Sequence, residues 1–563
     1  MLKADNKNTD LHLLILLVGL VTPLVLYFNR HIDDNRLVSW QWVMGNVSMS
    51  YFIIIVASAL LLAWSISFIS FKKHRLPFLF VISFVAASLF WSEPEVIVDG
   101  ARYFTQAKQL KINGMGYFFR EWGKGVFAWT DLPVVPFFYG LIFKLFGEQR
   151  IFVQLATTLC FSCTVMLTYQ LGKILWNEDV GFYGGLLLLG IPYLYTQIPL
   201  MLVDVPTMFF LILSMVLVTH ALTKGGLWWL AAAGLSLFLV FGAKFSTWLL
   251  LSVMPIIFVC FFFKDPLRTT RRGVLIAMIA AALCGAFFVY FQEVMGEQIK
   301  FLVTYQKPGL KRWGESYAST FLFQVHPFIT AGILLSALVA VVKKDLKYLI
   351  ICYLVLLLIF MQVKRIRYTL PVFPMLALLA SYGLQEIQNP RLVKHLVFSV
   401  VGTSLAVALF FYLPFMQTMG VQNLQAAGKY LNGVDAVTAE VIIIAGEKPV
   451  LNPAISVPLL DIYTKKDLYY GGRPPSPEDL EKAKTSPLRF TWEYPMPEYY
   501  MFEDGREKQT DGLVIVADVP DFSQDPDLSQ KIAAFSQSKT FQQTSGVFQH
   551  QTFVTVYHKR LVP

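Results

Sequence analysis

The chain has 563 residues, of which 56% are apolar and only 15% charged, well above the apolar fraction of roughly 45–50% usual in soluble domains. A single water-soluble globule is excluded. Forty-seven basic against 37 acidic residues leave a net charge of +10, which in a membrane protein suits anionic lipid or phosphate; no nucleic-acid partner is expected, because no basic helix or RNA-binding signature is present.

A transmembrane helix takes about 20 apolar residues, and a helix-length window along the chain predicts thirteen spans. They lie near 11–28, 48–71, 76–92, 151–174, 181–199, 204–222, 226–243, 246–263, 273–294, 324–342, 347–363, 368–386 and 394–415. The first follows a polar start and lacks a small-residue cleavage site, so it reads as a retained span rather than a signal peptide. Cys160, Cys163, Cys260, Cys284 and Cys352 fall inside apolar runs, and no second Cys or His pair accompanies Cys160 and Cys163. They read as small hydrophobes rather than disulfide or zinc residues.

Orientation follows from compact basic loops: Lys72-Lys73-His74-Arg75, Lys264 with Arg268, Arg271 and Arg272, Lys343 with Lys344 and Lys347, and Arg391 with Lys394. All fall on one side of a thirteen-span chain, which the positive-inside rule makes cytoplasmic. The opposite, extracytoplasmic face then carries a large loop at 93–150, a second at 297–324, the short turn 364–367 and the tail.

The tail departs in composition and is read as a separate domain, 417–563, beside a membrane domain of 1–416. In it 424–431 reads as a helix, and Val441-Ile442-Ile443-Ile444-Ala445, Gly512-Leu513-Val514-Ile515-Val516-Ala517 and Phe553-Val554-Thr555-Val556-Tyr557 read as buried strands around an irregular Pro-rich middle at 473–497. The fold class is therefore a polytopic α-helical membrane protein with a C-terminal extracytoplasmic α/β domain. With no phosphate-cradling glycine loop or nucleophile elbow, that domain is assigned a scaffold or acceptor-binding role.

Four outer-face features carry chemistry. Asp99-Gly100-Ala101-Arg102-Tyr103 opens the 93–150 loop amid aromatic residues, where a carboxylate can gain the raised basicity of a general base; a solvated Asp or a helix cap is the plainer reading. Asp204 precedes Pro206 at the mouth of the sixth span, a pattern equally suited to capping. Lys364-Arg365-Ile366-Arg367-Tyr368-Thr369-Leu370-Pro371 gathers three cations against the topogenic trend, suited to phosphate oxygens unless they merely snorkel. Lys244 sits at the turn between two spans, where a lone Lys also commonly snorkels.

At these residues the chain resembles the C-type, polyprenyl-phosphate-dependent glycosyltransferases, particularly the protein O-mannosyltransferase and lipid A aminoarabinose transferase group. In that family the first outer loop opens Asp-Glu-x-x-Tyr, and Asp99-Gly100-Ala101-Arg102-Tyr103 departs from it at Gly100. A later Lys-Pro-Pro-Leu is answered by Thr130-Asp131-Leu132-Pro133 without the Lys, so that a phosphate contact falls to Lys124 or is absent. Asp204, Lys244 and Arg367-Tyr368-Thr369-Leu370-Pro371 match a second acid, a later Lys and a segment thought to hold the lipid phosphate.

The resemblance implies a hexosyl or pentosyl transferase of the inner membrane that moves a sugar from a polyprenyl-phosphate donor to a lipid, glycan or protein acceptor, with inversion. It implies Asp99 and Asp204 as catalytic residues, Lys244, Lys364, Arg365, Arg367 and Tyr368 at the lipid phosphate, and Arg102, Tyr103 and Lys124 as loop contacts. No cofactor is expected. The alternatives are a multi-span lipid-linked-glycan transporter, disfavoured because no internal repeat is found, and a metal-dependent oligosaccharide transferase or polymerase. A divalent metal would need clustered carboxylates, which Glu93, Glu95 and Asp99 only approximate.

Overall fold

The computed structural model describes residues 2–71, 73–306, 314–444, 451–472, 477–486, 488–502, 510–520, 526–543 and 550–559. Lys72, Ala445 and parts of the 297–324 loop and of the Pro-rich 473–497 stretch lie outside them. Up to residue 416 the described chain is almost entirely helical, as the bilayer requires, since only helices and closed barrels satisfy every backbone group within apolar surroundings. Every one of the thirteen predicted segments contains helix.

Among the described residues six helices are, by length and composition, long and apolar enough to cross a membrane: Asp10–Phe28, Met49–Ile66, Arg150–Leu175, Asp204–Lys224, Pro266–Tyr290 and Pro390–Met416. Six further apolar helices are shorter, 10–17 residues each. The fold is thus polytopic and helical, with the six long helices and the shorter ones sharing the apolar segments. Asp204–Lys224 and Pro390–Met416 are largely enclosed by protein, whereas Pro266–Tyr290 presents most of its surface outward. Close helix crossing needs small residues, and Gly181 supplies it: a Cβ there would stand 2.3 Å from the Tyr169 carbonyl of the helix Arg150–Leu175.

The 93–150 segment is not an open loop. It folds into two helices, Asp99–Arg120 and Val134–Phe146, with buried apolar stripes. The segment after residue 364 is helical but broken: Ile366–Thr369, a tighter turn Leu370–Val372 and then Phe373–Gly383. Pro371 and Pro374 account for the change of pitch, because each removes a backbone donor.

The tail forms a five-stranded sheet from β1 (Thr438–Ile444), β2 (Asp467–Tyr470), β3 (Gly512–Ala517), β4 (Gln537–Phe541) and β5 (Phe553–His558). Its order is β2-β1-β3-β5-β4. β1 pairs parallel with β2 and β3, and β5 pairs antiparallel with β3 and β4. β3 is buried along its whole length, as its run of Val and Ile implies. The expected helix appears as Gln422–Asn432. Two strands, β2 and β4, add to the three expected, and the Pro-rich middle holds short helices at Pro477–Ala483 and Arg489–Glu493.

This domain packs on the 93–150 helices. Lys108 Nζ lies 2.5 Å from the Asp461 carboxylate, and the Tyr463 hydroxyl accepts from the Glu95 amide at 2.5 Å. The tail and the first large loop therefore share one face of the molecule.

Candidate functional site

The site begins with two helix starts. Asp99 is the first residue of Asp99–Arg120 and Asp204 the first of Asp204–Lys224, and neither N-terminus has a side-chain cap bond. The carboxylates stand where the helix dipole favours negative charge, but both are turned toward cations instead of backbone amides.

Arg367 joins them. Its Nη1 donates to Asp99 Oδ2 at 2.7 Å and its Nε to Asp204 Oδ2 at 2.9 Å. Asp204 is fully buried and takes a second cation, Lys244 Nζ, at 2.6 Å from Oδ1. On the other side of Asp99, Arg102 Nη1 approaches at 3.6 Å and its guanidinium forks onto Asp131, with Nη2 donating to Oδ1 at 3.0 Å. The result is a continuous row of alternating charge, Lys244–Asp204–Arg367–Asp99–Arg102–Asp131. Burial of single ions is costly, and this mutual pairing is what permits it.

The row opens to solvent at Asp99 and Lys244, each with 19% side-chain exposure, while Arg367 is 5% exposed. Burial alone would push the Asp99 carboxyl up. The guanidiniums of Arg367 and Arg102 outweigh it and hold the group below the usual carboxylate range. This corrects the expectation of raised basicity: the aromatic loop shields Asp99, but two arginines decide its protonation.

Aromatic rings frame the ions. Lys244 Nζ and Arg365 Cζ each lie 5.2 Å from the Tyr368 ring centroid, and Arg365 Nη1 donates to the Tyr368 hydroxyl at 3.3 Å. The Tyr103 hydroxyl accepts from Arg102 Nη2 at 3.3 Å, and the Tyr494 hydroxyl of the C-terminal domain accepts from Arg102 Nη1. Trp129 covers the same guanidinium at 4.7 Å.

Of the expected residues, the fold brings together Asp99, Asp204, Lys244, Arg365, Arg367, Tyr368, Arg102 and Tyr103. Two are corrected. Lys124 is exposed on the tight turn between Trp122 and Val126, a segment held by the Gly123 amide donating to the Val126 carbonyl at 2.8 Å, and it makes none of the row's contacts. Lys364 is exposed and its ammonium lies 5.9 Å from the Tyr317 ring, because the extended backbone at Arg365 turns successive side chains to opposite sides. Glu93, Glu95 and Asp99 do not converge either: among the described residues no group of three His, Cys, Asp or Glu stands at metal-holding distance.

Several residues were missed. Asp131, which anchors Arg102, was legible only as an isolated acid among aromatics. Glu315 accepts the Ile366 amide at 3.0 Å and the Arg36 amide at 3.2 Å, pinning the turn that presents Arg367. Glu95 pairs with Arg150 at 2.8 Å and accepts the Met201 amide at 3.1 Å, fixing the approach to Asp204. Its Oε2 also stands 3.2 Å from where a Cβ on Gly100 would lie. The glycine at this motif position therefore has a physical cause, since a neighbouring carboxylate occupies the room of its side chain.

Residues 131–291 match a family model described as dolichyl-phosphate-mannose-protein mannosyltransferase; the match spans Asp131, Asp204 and Lys244. The structure is similar to that of ArnT from Cupriavidus metallidurans bound to undecaprenyl phosphate, with a TM-score of 0.52 and 12% identity over 90% of this chain and 98% of that chain. ArnT from the same organism in the apo state gives 0.49 and 12% over 84% and 97%. The archaeal oligosaccharyltransferase AglB from Archaeoglobus fulgidus, in complex with an inhibitory peptide and a dolichol-phosphate, gives 0.35 and 12% over 76% and 61%. No curated protein sequence matches the chain significantly. The likeness to lipid-bound ArnT shows a shared fold, and with the matched segment it agrees with the resemblance to C-type glycosyltransferases that the motifs imply.

Proposed function

We propose that the protein is an integral-membrane glycosyltransferase that moves a sugar from a polyprenyl-phosphate donor to an acceptor hydroxyl or amine on the extracytoplasmic face. The observation that carries this reading is the bridge made by Arg367 between Asp99 and Asp204, with Lys244 and Arg365 close by. Cations of this kind match a departing phosphate, and a partly exposed carboxylate beside them matches an acceptor proton. The family model supports the donor class, since the mannosyltransferases it describes use a polyprenol-type phosphate sugar. The shared fold with ArnT bound to undecaprenyl phosphate supports it from the structural side.

In this mechanism the bond from the anomeric carbon to the phosphate oxygen breaks and its electron pair leaves with the polyprenyl phosphate. Arg367, Arg365 and Lys244 neutralise the charge that develops there, so the phosphate departs without a protein acid. The acceptor attacks from the opposite face through an oxocarbenium-like state, giving inversion, and Asp99 takes its proton. Asp204 holds Arg367 and Lys244 in place.

Asp99 is a weak base while Arg367 is bonded to it. An arriving phosphate competes for the same guanidinium, loosens that pair and raises the basicity of Asp99 when the donor is bound. The reaction is metal-independent in this reading, because the cations sit where a metal would otherwise act.

The test is transfer from a labelled polyprenyl-phosphate sugar by the purified full-length protein. Asp99→Asn is expected to lower turnover by about 10²–10⁴-fold, the usual worth of a positioned base, in protein that still folds but unfolds at a lower temperature because Arg367 loses a partner. Full activity in that variant removes Asp99 from the mechanism. Activity abolished by excess chelator and restored by a divalent cation overturns the metal-independent step.

A further inference from the structure

The long helix Pro266–Tyr290 starts at the end of the membrane domain that the basic loops mark as the opposite face from the ion row. Arg268, Arg271 or Arg272, and Leu275 follow one another at helix-face spacing there. They face the turn between Asp204–Lys224 and Leu227–Phe241, where Gly225 and Gly226 have φ of 72° and 95°. Between the two surfaces lies a cleft of about 320 Å³, lined by Gly226, Leu230, Arg268, Arg271, Arg272 and Leu275.

The three arginines differ in their ties. Arg272 is fixed: its Nη1 donates to the carbonyls of Leu222 at 2.7 Å and Thr223 at 3.0 Å, and its Nη2 to that of Lys224 at 3.3 Å. A Cβ on Gly225 would meet that guanidinium at 2.4 Å, so the glycine turn is what lets Arg272 close the back of the cleft. Arg268 is held by Asp265 at 3.3 Å, an exposed pair of small energetic worth. Arg271 is exposed and makes no ion pair among the described residues. Among the described residues one carboxylate pairs with one of the three guanidiniums, leaving two without an ion pair beside the cavity.

The surroundings set the level of the cleft. Leu227, Trp228 and Leu267 are about 80% exposed on its flanks, at 81%, 80% and 82%, and Lys224 Nζ lies 5.4 Å from the Trp229 ring centroid. Exposed Trp and Leu beside Arg and Lys mark the boundary between the hydrocarbon and headgroup regions. A cavity there, with guanidinium forks and a deficit of negative charge, has the chemistry of a phosphate receptor.

We propose that this cleft binds a phosphate-bearing anion at the membrane surface, remote from the ion row. The phosphate comes from a phospholipid headgroup or from a soluble phosphate, and the test separates the two. Purified full-length protein in phosphate-free detergent is titrated with dioleoylphosphatidylglycerol, with dioleoylphosphatidylcholine and with inorganic phosphate, reading binding by native mass spectrometry and by the shift in unfolding temperature. Arg268→Gln/Arg271→Gln is compared with the native chain and with Arg367→Gln, which alters the other cation cluster.

Each surface cation is worth about five-fold in affinity for an anionic lipid, so the double variant is expected to lose about thirty-fold for phosphatidylglycerol, while Arg367→Gln leaves that affinity in place. A shift that depends on Arg268 and Arg271 but is produced by inorganic phosphate alone supports the site with a soluble source. Equal responses of native and double-variant protein to phosphatidylglycerol and to inorganic phosphate alike overturn the proposal. Equal affinity of the native protein for phosphatidylglycerol and phosphatidylcholine, together with no response to inorganic phosphate, also overturns it, whatever the stability of the variants.

Discussion

Arg367 and Asp204 form an ion pair closed off from solvent, Nε to Oδ2 at 2.9 Å with side chains 5% and 0% exposed. Removing one member of a buried pair strands the other charge and costs about 3–5 kcal/mol. Lys244 remains on Asp204, so Arg367→Gln is expected at the lower end, about 3 kcal/mol, measured by thermal unfolding in detergent. Arg367→Lys restores the charge but not the fork that spans Asp99 and Asp204 together. It is expected to recover much of the stability and little of the donor affinity; recovery of both would reduce Arg367 to a counter-ion.

The pH dependence follows from Asp99. Its carboxyl is held below the ordinary range by Arg367 and Arg102 against the upward push of burial. A group depressed in the folded state stabilises the fold above its unfolded value, about 3.9 for Asp, and that contribution is lost as pH falls through the lower folded value. Asp99→Asn is therefore expected to flatten part of the acid arm of a stability profile below about pH 4. For activity, kcat/KM reports the free enzyme and kcat the donor complex. If the donor phosphate draws Arg367 away, the acid limb of kcat lies at higher pH than that of kcat/KM. Coincident limbs argue that Arg367 stays on Asp99 throughout the reaction.

Gly100 and Glu95 make a steric prediction. A Cβ on Gly100 would stand 3.2 Å from Glu95 Oε2, and Glu95 cannot swing aside cheaply because Arg150 and the Met201 amide hold it. Gly100→Ala is expected to destabilise by about 1–3 kcal/mol, the usual cost of overpacking, and Gly100→Glu more. Pairing Gly100→Ala with Glu95→Ala tests the cause: the overlap vanishes in the double variant, so the two effects are expected to be less than additive in thermal unfolding.

Apolar periodicity made the membrane helices legible, because a bilayer leaves a chain few other ways to satisfy its backbone. The Arg367–Asp99 meeting was legible for another reason: charges stranded among apolar spans need partners. What sequence could not supply was direction. Lys364 is three positions from Arg367, yet it points to Tyr317, and Lys124 sits on a tight turn whose geometry no spacing encodes. β2 and β4 were hidden for local reasons, one being only four residues long and the other polar and exposed along most of its length. Asp131 and Tyr494 reach Arg102 from 29 and 392 positions away, and nothing in their own neighbourhoods points to that pairing.

The reach of Tyr494 makes the C-terminal domain part of the site rather than an appendage. Its hydroxyl is bonded to the buried guanidinium of Arg102, which also faces Asp99. A second tie, Lys108 to Asp461 at 2.5 Å, holds the same helix to the same domain. Hydrogen bonds to charged groups contribute about 1.5–3 kcal/mol, so Tyr494→Phe and Asp461→Ala are each expected to loosen the domain by amounts of that order, seen as faster limited proteolysis after residue 416. Their effects on transfer are expected to differ. Asp461→Ala leaves Lys108 paired with Glu148 at 2.8 Å and does not touch the ion row, so turnover is largely kept. Tyr494→Phe frees Arg102 to shift relative to Asp99 and is expected to lower kcat more than it raises the KM for donor. Equal losses of activity in the two variants would mean that docking alone, and not the hold on Arg102, is what the domain supplies.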